Sequence, residues 1–167
     1  YCNGANVPEQ QFTGNVHEAT YVWNKVSGDN IAGLPDNGNN MIPAFEAINT
    51  GATVLTANYK VTADYSYANK SCNNGDTIEF SISVLPQPEV AINIPHQTLC
   101  SGDELREIAF TGKATSFKWE RISDYVPGLP SSGIGNIPRQ ILINIGINPL
   151  KVNYRVTPVY EHNGTIC

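Results

Sequence analysis

Hydrophobic positions in this chain recur at every second residue over short runs, and nowhere hold a helical period over a long one. Ile78, Phe80, Ile82 and Val84 alternate with Glu79, Ser81 and Ser83. Ala57, Tyr59 and Val61 alternate in the same way, as do Val90, Ile92 and Ile94. So do Val152, Tyr154 and Val156, set among Lys151, Asn153, Arg155 and Thr157. A period of two sends successive side chains to opposite faces of a pleated strand, so each run predicts a strand with one buried face. Tyr21 and Trp23 stand two apart and share a face, as do Phe117 and Trp119. Pro or Gly interrupts every candidate helix. Many short strands separated by turn residues predict an all-β chain of sandwich type.

The runs come in two sets. GLPDNGNNMIP at 33–43 returns as GLPSSGIGNIP at 128–138. Around that stretch Cys2-Asn3-Gly4 matches Cys100-Ser101-Gly102, Phe12-Thr13-Gly14 matches Phe110-Thr111-Gly112, and Trp23 matches Trp119. Downstream, Asn49 and Gly51 match Asn144 and Gly146, Asn58-Tyr59 matches Asn153-Tyr154, Val61-Thr62 matches Val156-Thr157, and Cys72 matches Cys167. The chain is read as two copies of one module, residues 1–88 and 89–167, joined at Pro86-Gln87-Pro88, a short stiff linker. Gly supplies unusual backbone angles, Pro fixes φ, and Asn tolerates left-handed turns, so the repeated stretch is expected to be a shaped crossover following the Trp strand. Leu34, Leu129, Ile42 and Ile137 are its expected apolar plugs. Copy two is preceded by the strand run at 89–95 and copy one is followed by the run at 77–85. The first module is therefore expected to lack its first strand and the second its last, each leaving a sheet edge open.

Composition narrows the function. The chain has 167 residues, 41% hydrophobic and 15% charged, with a net charge of −5. Residues 1–88 hold eight acids against three bases, and 89–167 hold seven of each. Neither half has the basic face that a phosphate backbone requires, so nucleic acid is not an expected partner. No apolar run approaches the roughly 20 residues of a membrane helix, so direct membrane insertion is not expected. Tyr1 in place of an initiator Met is read as the start of a processed or excised segment. Cys2, Cys72, Cys100 and Cys167 have neither C-x-x-C spacing nor nearby His, which disfavours zinc. Four cysteines spread through a β-rich chain are expected to form disulfides in an oxidising, extracellular setting. Repeat equivalence favours the pairs Cys2–Cys72 and Cys100–Cys167. Standard immunoglobulin topology opposes them, because it would set the two cysteines of a module at opposite poles, but the matched seven-residue spacing from Tyr65 to Cys72 and from Tyr160 to Cys167 keeps the intra-module pairs as the expectation.

The pattern C-x-G, F-T-G, aromatic-x-W, G-L-P-x-x-G, N-I-P, N-x-G, Y-x-V-T, a second Cys and a strand ending in P-x-P resembles the PKD-like repeats of Bacteroidetes surface proteins. These include the giant gliding-motility adhesin of flavobacteria. The resemblance covers the whole chain twice. It implies two tandem immunoglobulin-like sandwiches in a non-enzymatic extracellular stalk or adhesive segment, exported by type IX secretion. It also implies neighbouring repeats, surface glycans or other cell-surface components as partners. Asp76-Thr77-Ile78 resembles the Bacteroidetes O-glycosylation motif, which makes Thr77 a candidate acceptor.

Other candidates are weaker. His17, His96 and His162 occupy non-equivalent places and are read as loop residues. Asp36-Asn37-Gly38-Asn39-Asn40 offers oxygen ligands, but Gly38 breaks the alternation of a calcium loop and copy two has no acid there, so no cofactor is expected, with calcium at this loop as the alternative. Asn69-Lys70-Ser71 and Asn163-Gly164-Thr165 match the N-glycosylation triplet, which a bacterial source would make accidental. Trp23 and Trp119, with Tyr59 and Tyr154, are expected in the two cores. Exposed tryptophans would instead favour the alternative function, an accessory carbohydrate-binding module. No nucleophile–base or paired-carboxylate pattern emerges, so no enzyme is expected.

Overall fold

The computed structural model describes residues 1–72, 75–123 and 125–167. The protein is all-β, and its described residues contain no helix. The chain divides into two compact units, Tyr1–Gln87 and Pro88–Cys167. The division falls inside Pro86-Gln87-Pro88, where two prolines remove backbone donors and so prevent a continuous strand pairing.

The first unit comprises β1 (Ala5–Val7), β2 (Gln10–Gln11), β3 (Thr20–Gly28), β4 (Asn37–Asn39), β5 (Met41–Ile42), β6 (Phe45–Ala47), β7 (Leu55–Tyr67), β8 (Lys70–Cys72) and β9 (Thr77–Val84). Its main sheet runs β4-β3-β7-β8, with β9 also paired to β7. Every pairing is antiparallel, and β7 is held along its length, by β3 on one side and by β9 from Leu55↔Val84 to Thr62↔Thr77 on the other. The small pairs β1–β6 and β2–β5 supply the opposing layer. Their inward residues Val7, Ile42, Phe45 and Ala47 join Trp23, Ala57, Tyr59, Val61, Ile82 and Val84 in one core. The runs at 57–61 and 80–84 are therefore walls of a sandwich core, contributing every second side chain, whereas Ile78 near the start of β9 is exposed.

The second unit comprises β10 (Ala91–Ile92), β11 (Glu104–Leu105), β12 (Phe110–Thr111), β13 (Ser116–Arg121), β14 (Ser132–Ile134), β15 (Gln140–Ile141), β16 (Tyr154–Val159), β17 (Glu161–His162) and β18 (Thr165–Ile166). The repeat extends to the register of its strands. Val7 faces Phe45 where Leu105 faces Gln140, and Trp23 stands between Gly38 and Val61 where Trp119 stands between Gly133 and Val156. Tyr67↔Lys70 and His162↔Thr165 close equivalent two-residue hairpins, with positive φ at Ala68 and Asn69 in one and at Asn163 and Gly164 in the other. The N-glycosylation triplets fall in these two hairpins.

The pairing beyond β7 is not repeated. In the second unit the sheet order is β14-β13-β16, and among the described residues no strand occupies the far side of β16. The strand that runs for 13 residues as β7 is regular for only 6 as β16. β7 is paired on both sides, whereas residues 150–153, the counterparts of its first four residues, lie outside β16.

Candidate functional site

The repeated Gly-Leu-Pro stretch forms a clamp over the core Trp in each unit. Leu34 N donates to Ile31 O and Leu129 N to Val126 O, each at 3.2 Å, tightening the turn that buries the leucine. Lys25 N then bonds Asp36 O and Arg121 N bonds Ser131 O, both in the return onto the Trp strand. Tyr59 Oη donates to Pro35 O at 3.2 Å, and Tyr154 Oη to Pro130 O at 3.0 Å. The phenols meet their Trp partners edge-on, with ring centroids 5.6 and 5.5 Å apart. Burial raises both phenol pKa values. The Asp36 carboxylate adds to the rise at Tyr59, while the Arg121 guanidinium opposes it at Tyr154. Both hydroxyls therefore stay protonated as donors. This clamp is structural: it positions a loop and offers no reactive group to solvent.

Trp23 is 0% and Trp119 5% exposed, so neither indole presents a face to a sugar. Trp23 Nε1 donates to Met41 O at 2.9 Å, whereas Trp119 Nε1 is buried with no partner among the described residues. Thr77 is exposed at the start of β9, its hydroxyl 3.3 Å from that of Thr62. The Asp36 carboxylate pairs with Lys25 Nζ at 3.0 Å, and Asn40 Oδ1 accepts from Tyr21 N at 3.0 Å. Those oxygens are thereby committed to local structure. His17 lies beside Glu18, His96 is exposed, and His162 Nε2 lies 3.2 Å from Asn163 Nδ2. Among the described residues no three His, Cys, Asp or Glu side chains converge on a common point.

The cysteines depart from the expected pairs. Cys72 and Cys100 are free and exposed, and the disulfide-bonded cysteines are Cys2 and Cys167. The reason is the length of the sheet. Cys2 bridges Leu85, next to the Leu55↔Val84 pair, while Cys72 stands opposite Tyr65 at the far end of β7. Leu55 and Tyr65 are ten residues apart along one strand. At about 3.3 Å per residue that is roughly 33 Å, against a disulfide Cα span of at most about 7 Å. In the second unit Cys167 exchanges backbone bonds with Tyr160, whereas Ser101, next to Cys100, accepts from Asn144 N. The two cysteines of each module lie at opposite poles, as the topological objection required.

A cavity of about 930 Å³ in the second unit has room for another molecule. Leu105, Phe110, Leu129, Ile137, Tyr154 and Val156 are among its lining residues, so it reaches into the core itself. The corresponding space in the first unit is closed by β9, whose Ile82 and Val84 are core residues. Of its lining residues Ile143 and Leu150 are exposed. Sequence alternation marked Val152, Tyr154 and Val156 as strand residues, but only the absence of a pairing partner turns their edge into a groove.

Comparison of the chain with family models, with curated proteins and with solved structures finds no match.

Proposed function

We propose that this chain is a non-enzymatic segment of a large extracellular bacterial surface protein, a pair of PKD-like, immunoglobulin-like repeats giving reach and surface attachment. The observation that carries the reading is the repetition of one sandwich module, to the register of its strands and the hydrogen bonds of its loops. A module copied at that level of detail serves a chain built by concatenation, where each copy must fold locally and join its neighbour through a short linker. Export to an oxidising compartment accords with the disulfide state of Cys2 and Cys167. Its partners would be neighbouring repeats and cell-surface components. The carbohydrate-binding alternative loses support from the burial of both tryptophans, because sugar stacking requires accessible aromatic faces.

Antibodies raised against the chain should label intact cells of the source organism, and deletion of the segment should reduce surface attachment. Labelling only after cell lysis would refute the surface reading. Saturable, specific binding on a glycan array, abolished by substituting an exposed aromatic, would replace it with the carbohydrate-binding one.

A further inference from the structure

We infer that the groove along β16 is a strand-acceptor site, which takes an extended segment of the β9 type and completes the second core by β-augmentation. The first unit displays the occupied form of this site. There Val84, Ile82 and Phe80 stand directly opposite Leu55, Ala57 and Tyr59. Their counterparts in the second unit are Leu150, Val152 and Tyr154, all lining the cavity. An occupant therefore needs apolar residues at three alternate positions, the third aromatic, running antiparallel to residues 150–156.

Polar anchors fix the register. Asn49 Nδ2 donates to Val84 O at 2.7 Å while also closing its own turn onto Thr53 O, and Asn49 Oδ1 accepts from Gly51 N. Asn144 reproduces the turn, with Nδ2 donating to Asn148 O at 2.9 Å and Oδ1 accepting from Gly146 N. No counterpart of Val84 O lies among the described residues, and Asn144 is only partly buried where Asn49 is fully buried. At the pole of the first unit Leu85 N donates to Tyr1 O at 2.8 Å and Asn3 N donates to Leu85 O at 3.0 Å. Leu99 O and Ser101 N hold those places in the second unit. One apolar wall, one side-chain amide and two backbone groups are thus arranged as in the first unit, where a strand engages them.

The chemistry of the occupant follows. It is a peptide strand with an aromatic-x-aliphatic-x-aliphatic-aliphatic pattern, as in Phe80-Ser81-Ile82-Ser83-Val84-Leu85. A compact small molecule would leave the edge donors and acceptors of β16 unpaired. A helix would not present backbone groups to them.

The test uses the full chain and a synthetic peptide of residues 76–86, followed by calorimetry and by amide hydrogen exchange. The expected result is one peptide bound per chain, with slowed exchange at residues 150–156. A peptide carrying Ile82→Lys and Val84→Lys should bind about a hundredfold more weakly, since two buried aliphatic contacts are lost. Equal binding by a peptide of the same composition with the alternation scrambled would overturn the proposal, as would no binding. Slowed exchange confined to residues 55–62 would show exchange with β9 of the first unit instead, and would also overturn it. A concentration-dependent dimer that excludes the peptide would overturn it as well, with a second copy of this chain as the occupant.

Discussion

Gly38 stands opposite Trp23 in the β3–β4 pair, and a Cβ placed on it would lie 2.6 Å from the indole Cζ2. Gly133 stands in the same relation to Trp119, with the added atom 2.2 Å from Cζ2. Neither glycine has a positive φ, so what each position demands is the absence of a side chain against the ring. The repetition of Gly38 as Gly133 is thus explained by indole packing and not by backbone angle, unlike Gly33 and Gly128, whose φ values are positive.

Gly38→Ala and Gly133→Ala are both expected to destabilise their units by about 1–3 kcal/mol through overpacking, with the larger loss at 133. Chemical denaturation of each variant measures the loss. Adding Trp119→Phe to Gly133→Ala should recover part of it, because the smaller ring makes room for the methyl group; strict additivity of the two changes would contradict the contact.

The two indoles differ in one bond. Trp23→Phe removes the donor to Met41 O and leaves that carbonyl short of a partner, while Trp119→Phe removes an N–H that has none among the described residues. Both variants lose ring contacts, so the difference between them isolates the hydrogen bond. Trp23→Phe should cost about 1 kcal/mol more than Trp119→Phe. Equal losses in denaturation would show that the bond contributes nothing.

Alkaline pH should destabilise both units through the clamp phenols. Burial raises Tyr59 and Tyr154 above the ordinary value of 10.0, so the folded protein holds these protons more tightly than the unfolded chain. Their contribution is complete below pH 10 and is lost as the pH climbs through the raised values. Thermal melts across that range should show the decline, and Tyr59→Phe with Tyr154→Phe should flatten it. The melts are best done with Cys72→Ser and Cys100→Ser to prevent thiol exchange at high pH. An unchanged slope in the double Phe variant would assign the effect to other groups.

Native alkylation should label Cys72 and Cys100 and spare Cys2 and Cys167 until a reductant is added. Peptide mapping reads the sites directly. Labelling of Cys2 or Cys167 before reduction would contradict the disulfide state, and protection of Cys72 would point to the within-module bond that the sheet length forbids.

Much of the architecture was legible without coordinates, for a physical reason. Strand alternation is a local property of the chain, and the loop residues Gly, Pro and Asn are constrained by their own backbone chemistry. The runs around Tyr59, Ile82 and Tyr154, the turns at Gly33 and Gly128, and the equivalence of Trp23 with Trp119 could therefore be read directly. The all-β class and its repeat follow from those local signals.

Tertiary structure decided everything that depends on which distant segments lie side by side. Cys2 and Cys72 look like a pair because the repeat treats them alike, yet they cap opposite ends of a strand pair whose length appears only when Leu55 meets Val84. Val152 and Tyr154 carry the same alternation as Ala57 and Tyr59, but in one case β9 covers the edge and in the other a cavity of about 930 Å³ remains. Periodicity specifies which face of a strand is apolar. Whether that face is closed depends on a non-local partner, and a non-local partner leaves no mark on the local pattern.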